Sequence, residues 1–385
     1  MGEIMDWLKG KNNEAKKWIA QLSDPAKRAQ AANELIRLGP AAVDGLVETL
    51  TAKDANLRTM AAQLLVKMGT TGIPRLTQAL ASAHPLTRGG VADVLGEIRH
   101  PSAAPALLEA ARGEYYTVRA RAASALAKIG DAQAVPALIE LLGDKEPPVR
   151  IAAALAVGKF KDPRCLIRLS DLLLEDREIE VRQAAAQGLA ETRLPQAVPY
   201  LIEALGDSFW WYERENAAAP LLEALTKFGA DAVEPLVGAL THYEGTVRRS
   251  AAILLGRIRD ARAVEPLGMA LYDMHDEVGR AAAESLAGFG AAALEVLAEA
   301  LKHPEAGIRM HALFALSRIK DARVLPLLAE ALKDHDRLVQ KQAIQSFADL
   351  GDPRALAALK PIADDRSDRE LSMLAREAMK ALQPK

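Results

Sequence analysis

Aromatic side chains are scarce in this chain of 385 residues, where Phe, Trp and Tyr together make up 4%. A globular core of that size usually holds more rings. The interior must therefore be built from small aliphatics, and half of the residues are apolar, with alanine abundant. Small side chains suit helices whose axes approach to roughly 8–10 Å. Cysteine occurs once, at Cys165. One thiol cannot close an internal disulfide, which fits a reducing cytoplasm. An excess of either charge is also missing: 49 Lys and Arg against 51 Asp and Glu leave a net −2. No whole-protein field draws the chain to nucleic acid or anionic lipid. No apolar run approaches the roughly 18–20 residues of a membrane span. The start, MGEIMDWLKGKNNEAKKW, contains Asp6 and Glu14 and lacks the apolar core of a secretory signal. Gly2 is followed by Asp6 where a myristoylation site wants Ser or Thr. A cytoplasmic protein without membrane association is expected.

What the chain does have is a sentence repeated about every thirty-one residues. It reads in full from Glu146 to Asp176, EPPVRIAAALAVGKFKDPRCLIRLSDLLLED. Its Val-Arg beat returns at Val118-Arg119, Val149-Arg150, Val181-Arg182 and Val247-Arg248, and in altered form at Leu57-Arg58, Thr87-Arg88, Val278-Gly279, Ile308-Arg309 and Val339-Gln340. Val149, Ala152, Ala153, Leu155, Ala156 and Phe160 recur at three- and four-residue intervals, the period of a helix burying one face. Leu166, Leu169, Leu172 and Leu173 mark a second helix. Asp162 between them can cap it, and Pro163 fits its first position. Asp131, Asp260, Asp321 and Asp352 occupy the same turn.

Aligned on the beat, about eleven two-helix repeats begin near Ser23, Asp54, His84, Glu114, Glu146, Glu178, Ser208, Glu244, His275, Glu305 and Asp336. A fixed period of this kind marks a solenoid, which grows by stacking and needs no separate cores. The expected organisation is capping helices over residues 1–22, repeats over 23–365 and a capping helix over 366–385. The ends need caps because a terminal repeat would otherwise leave a core face wet.

The frame Glu178, Val181, Arg182, Ala185, Ala186, Leu189, followed by Ala197, Val198, Pro199, Leu201, Ile202 and Leu205, resembles the HEAT-like repeats typified by the phycobilisome lyase family. The resemblance spans nearly the whole chain. It implies an all-α, right-handed superhelix with first helices on the convex side and second helices lining a concave groove. It is specific for fold and unspecific for activity, since such repeats serve as scaffolds, adaptors, inhibitors and a few enzymes.

With that orientation, Gln133, Pro136, Ala137 and Glu140 of repeat four face the groove. The Glu140 position reads Glu48, Gln78, Glu109, Glu140, Asp171, Glu203, Gly238, Met269, Glu299, Glu330 and Pro361 along the chain. This acidic line is either a solvated face with local basic partners or a seat for a basic partner. It breaks at Gly238 and Met269. The rhythm stumbles beside the break, with four extra residues in SFWWYERENAAAPLLEALTKFG. Phe209, Trp210, Trp211 and Tyr212 hold a quarter of the chain's rings, and Pro220 should kink or split the helix there. The rings either fill a packing defect or form an exposed anchor. A protein or peptide contact is expected at Tyr200, Glu203, Trp210, Trp211, Tyr212 and Met269.

Catalytic constellations are absent from the sequence. There is no phosphate loop, no G-x-S-x-G elbow and no paired zinc-ligand motif. His84, His242, His275, His303 and His335 share one edge of the stack, where turn capping explains them better than a metal shared between repeats roughly 10 Å apart. No His-Glu dipeptide occurs, so the resemblance does not extend to the HEAT-like iron hydroxylases of deoxyhypusine. The groove acids argue against the nucleic-acid binding of HEAT-like glycosylases, which needs Lys and Arg on phosphates. Cys165 matches Ala355, a small core position, and reads as a buried thiol. The beat arginines recur too often to be catalytic and should bond turn carboxylates or carbonyls of neighbouring repeats. The reading is a non-catalytic binding scaffold without metal or cofactor. The alternative implied by the resemblance is a phycobilisome-lyase-like enzyme or chaperone that handles bilins. Circular dichroism should show helix and no sheet, with a melting curve unmoved by chelator. A large drop in melting temperature on chelation would point to a metal at the histidine edge.

Overall fold

Sequence acts most locally at the turn between the two helices of a repeat. In the computed structural model, which describes residues 2–82, 84–207 and 218–382, Asp131, Asp162, Asp260, Asp321 and Asp352 each accept the backbone N–H two residues on, at 2.9–3.0 Å. Where that residue is arginine, its guanidinium returns to the same carboxylate: Arg164, Arg262, Arg323 and Arg354 at 2.5–2.8 Å. Asp162 caps a single 3-10 turn, Pro163–Cys165, which runs directly into the helix Leu166–Glu175. The residue before the aspartate is left-handed at Asp131, Asp162, Asp260 and Asp352. Gly130 and Gly351 take this conformation freely, at φ 77° and 69°. Lys161 and Arg259 hold it at 52° and 58°, a strain on the order of 1 kcal/mol each.

The chain forms two compact units, Met1–Ala197 and Val198–Lys385. In the first, the long helix Gly2–Gln21 precedes repeats one to five and the first helix of repeat six, Ile179–Thr192. The second opens with the second helix of repeat six, Val198–Ala204. It continues through repeats seven to eleven and ends with Arg369–Ala381. Within each unit first helices pack on first helices and second helices on second helices, as in an α-solenoid. No strand occurs among the described residues, and no helix there is long and apolar enough to cross a membrane.

Small residues set the approach of the first helices. A Cβ on Gly96 would stand 2.8 Å from the Ala125 Cα, and a Cβ on Gly158 would collide with the Gly188 backbone. At the position of Ala125, Ser285 sends its hydroxyl to the Ala252 carbonyl of the preceding repeat at 2.8 Å, and Ser346 to Leu313 at 3.1 Å. The apolar stripe behind these contacts is fully buried, as at Val118, Ala122 and Leu126. Each such leucine contributes about 2 kcal/mol by leaving water.

The beat arginine joins successive layers. Arg119 donates through Nε and Nη2 to both oxygens of Asp144, at 2.7 and 2.8 Å. Its Nη1 donates to the carbonyls of Gly113 and Glu114, at 3.0 and 2.7 Å. Asp144 also accepts the N–H of Glu146, at 2.9 Å. One guanidinium thus ties the turn before its repeat to the turn after it. The same rung forms between Arg150 and Asp176, Arg248 and Asp273, and Arg309 and Asp334, with Nε contacts of 2.6–2.8 Å. Both kinds of acceptor expected from the sequence, turn carboxylates and carbonyls, are present.

Burial alone would raise the carboxyls of Asp144, Asp273 and Asp334. Hydrogen bonds from the paired arginine and the backbone outweigh it and hold them below the ordinary carboxylate value. The half-buried turn carboxyls Asp260 and Asp321 are held at about 2 by their arginine and backbone donors. A depressed folded value stabilises the fold above the unfolded value, near ~4, and that stabilisation fades as the folded carboxylate protonates. Stability should therefore be flat from neutral pH down to about 5 and fall between about 4 and 2. An acid titration by denaturant melts that stays flat to pH 2.5 would contradict this. With both side chains 9% exposed, the Arg248–Asp273 pair is nearly dry. Asp273→Asn should cost about 3 kcal/mol at pH 7, because it leaves a buried cation without its counter-charge.

Candidate functional site

The second helices carry the exposed acids on the side away from the core. In the first unit Glu48, Glu109 and Glu140 are exposed and Asp171 is half-buried; in the second Glu203, Glu299 and Glu330 are exposed. Glu140, Asp171 and Glu299 have local cations, Arg112 at 4.0 Å, Arg168 at 3.5 Å and Lys302 at 2.7 Å. Glu48, Glu109, Glu203 and Glu330 form no ion pair among the described residues. One outward assignment fails. Ala137 is buried, at 4% exposure, because the short helix Val135–Leu141 turns two adjacent faces into the stack.

In the second unit, the helix Val198–Ala204 carries Tyr200, half-buried, and Glu203, exposed. It packs on Val233–Ala239, which carries Gly238. A Cβ added to Gly238 would meet nothing within 4 Å, so the acid line is interrupted by open space. Met269, in Val264–Ala270, is 70% exposed. Beside it Gly268 packs on Val296 of the next second helix so closely that a Cβ would stand 2.9 Å away. Trp210, Trp211 and Tyr212 lie outside the described residues. Pro220 sits in the first turn of a helix, Ala219–Thr226, where a missing N–H costs little.

Two exposed side chains join this neighbourhood without having been legible as site residues. Tyr243 is 83% exposed, its ring 4.3 Å from that of His242. A hydrogen bond to Glu244 and the charge of Glu244, with burial and the charge of Glu203, raise its hydroxyl above the ordinary value. Met274, at the matching position of the next inter-repeat turn, is 89% exposed. Behind it Tyr272 stacks on His303 with ring centroids 5.0 Å apart. The only signal available for Tyr243 and Met274 was their place in a turn that elsewhere carries Lys145 and Arg177.

The remaining chemical groups are structural. His242 and His303 accept the N–H groups of Glu244 and Glu305 through Nδ1, at 3.2 and 3.1 Å, the bond that aspartate accepts in other turns. No cluster of His, Cys, Asp and Glu suited to a metal occurs among the described residues. Cys165 is buried and donates to the Asp162 carbonyl at 2.9 Å. Burial, with the Asp162 charge, pushes its thiol up to about 11.

An all-α solenoid of two-helix layers with Asp-capped turns and an arginine beat defines the class. The model of HEAT repeats matches residues 73–148, 104–190, 136–221, 213–287 and 294–380, and the chain belongs to that family. The model of the PBS lyase HEAT-like repeat matches residues 278–303. Phycocyanobilin lyase subunit beta of Pseudanabaena tenuis (strain PCC 7409) is 37% identical over 123 residues, which cover 31% of this chain and 42% of that subunit. Among solved structures, the karyopherin Kap121p bound to the extreme C-terminus of the protein phosphatase Cdc14p superposes with a TM-score of 0.56 at 12% identity. That match covers 97% of this chain and 50% of the karyopherin. Importin beta gives a TM-score of 0.52 at 13% identity, over 96% and 63%. The chain thus spans less than two thirds of each of these relatives, and at such identities the structural likeness concerns the fold. Cys165 should resist iodoacetamide at pH 8 in the native protein and react fully in denaturant. Rapid native labelling would show a thiolate that burial should prevent.

Proposed function

We propose that this chain is a non-catalytic scaffold that holds a protein or peptide against its second helices, with the contact centred in the second unit. The observation that carries this reading is Met269. A methionine 70% exposed, in a position that is acidic in most repeats, serves no packing need of its own layer. Methionine adapts to varied apolar partners, and Glu203, at the same position of the second helix two layers before, offers a carboxylate to a basic residue. Tyr200 lies one turn before Glu203 on the same helix, and Trp210, Trp211 and Tyr212 follow in the same stretch of sequence. The fitting partner is an extended peptide with an apolar anchor and flanking Lys or Arg. Nucleic acid does not fit the acidic face. The residues over 1–22 and 366–385 are read as caps of the stack.

Selection from a displayed peptide library should enrich basic sequences with one large apolar residue. Met269→Ser should weaken the selected peptide about tenfold, and Glu203→Lys by more. Melting should move little, because both side chains are exposed. Peptides that ignore both substitutions would remove this site.

A second reading rests on the lyase subunit matched over 123 residues. Bilin handling would need a pocket for a linear tetrapyrrole. Mixing with phycocyanobilin and following visible absorbance separates the readings: a saturable spectral shift favours the lyase-like role.

A further inference from the structure

Repeat three keeps the arginine of the rung and lacks its acid. Arg88, in the helix Pro85–Ile98, holds the place of Arg119, but the place of Asp144 is taken by Gly113. The backbone there is unchanged. Gly113 N–H bonds the Ala110 carbonyl at 3.2 Å, as Asp144 N–H bonds that of Leu141 at 3.2 Å. Arg88 Nε is buried and has no hydrogen-bond partner. In the complete rungs of repeats four, five, eight and ten the same atom meets an aspartate oxygen at 2.6–2.8 Å. The remainder of the Arg88 side chain is half-buried, and its Nη2 lies 3.3 Å from where a Cβ on Gly113 would stand. The guanidinium therefore leans into the space that a carboxylate fills elsewhere, with Nη2 against Gly113.

Three donors converge on Asp144: Nε and Nη2 of Arg119 and the N–H of Glu146. Their counterparts in repeat three are Nε and Nη2 of Arg88 and the N–H of Tyr115. An arginine fork matches a planar two-oxygen anion. A half-buried guanidinium whose Nε is dry and unpaired also gains from acquiring a counter-charge. Repeat nine shows the contrast. There Gly279 replaces the arginine, and His303 Nδ1 accepts the turn N–H of Glu305, so the rung's cation and anion are lost together.

We propose that Arg88 and the turn from Gly113 to Tyr115 form a binding site for the side-chain carboxylate of an acidic residue on a partner. The partner's aspartate completes the rung that this chain leaves unfinished. It enters at Gly113, meets Nη2 first, and pairs with Nε after a small turn of the guanidinium. The site stands on the first unit and does not depend on the reading of the second-helix face.

The test is a titration of the full chain, with arginine side chains labelled for Nε–Hε correlation spectra. The probe is N-acetyl-aspartate amide, with N-acetyl-asparagine amide and inorganic phosphate as controls at matched ionic strength. The Arg88 signal should move saturably toward the position of the Arg119 signal with the aspartate probe alone. Gly113→Asp should place Arg88 there without ligand, raise the melting temperature and reduce the response to the probe at least about tenfold. Arg88→Gln should remove only the signal assigned to Arg88 and leave the other arginine signals in place, which fixes the assignment. No saturable shift at Arg88, an equal shift with the asparagine probe, or an equal shift with phosphate would each overturn the proposal. An undiminished response in Gly113→Asp would do so as well.

Discussion

The bidentate bond between the beat arginine and the aspartate at the end of its repeat is the constraint on which the stack depends. Helices built from alanine and leucine can slide past one another, because their surfaces are smooth and their apolar contacts carry no direction. The rung is directional. Arg119 fixes the carbonyls of Gly113 and Glu114, and through Asp144 it fixes the N–H of Glu146. Both turns that flank a repeat are thereby tied to one planar group. Because the pair is nearly dry, its Coulomb gain is largely offset by desolvation. Its contribution is to register more than to net stability, since any slip between layers would strand a buried charge.

That constraint also accounts for the shortage of rings. With spacing set by the turns, the first helices come close enough for Gly158 to meet Gly188 and for Ser285 to reach the Ala252 carbonyl. A phenylalanine at such a position would force the layers apart and stretch the rungs. Phe347, fully buried in repeat eleven, sits on the inward stripe, beside Ser346 and not at its contact. The alanine content is thus a consequence of layer spacing.

Much of this was legible before any coordinates. The 3.6-residue period identifies the helices because each buries one stripe, and Asp162 before Pro163 signals a cap because both residues act locally. The partner of the beat arginine was less legible. Period alone brings many carboxylates into each turn, and only the geometry selects Asp144 over Glu146. Ala137 lies inward, against its outward place in the period, because a seven-residue helix between two neighbours buries more than the stripe of an isolated helix. Tyr243 escaped notice because a turn has no period against which a lone ring stands out. Met269 was legible, since it interrupts a recurring acid.

The rungs also vary in an informative way. In repeat nine arginine and acid disappear together, and a histidine supplies the cap. In repeat eleven Gln340 replaces arginine and keeps the carbonyl bond, donating to Asp334 O at 2.8 Å. The acid that would have been its partner, Asp365, turns to Ser367, whose N–H and hydroxyl it accepts at 2.8 and 2.7 Å. In both repeats the loss of one charge is matched by removal or re-use of the other. Repeats two and three keep the arginine without the acid, but Arg58 is exposed and bonds the carbonyls of Ala52 and Lys53, whereas at Arg88 Gly113 offers nothing and the buried Nε goes unpaired. If the arginine there served packing alone, glutamine would do the same work at lower cost, as it does at position 340. A cation retained without its anion is better explained by an anion that arrives from outside the chain.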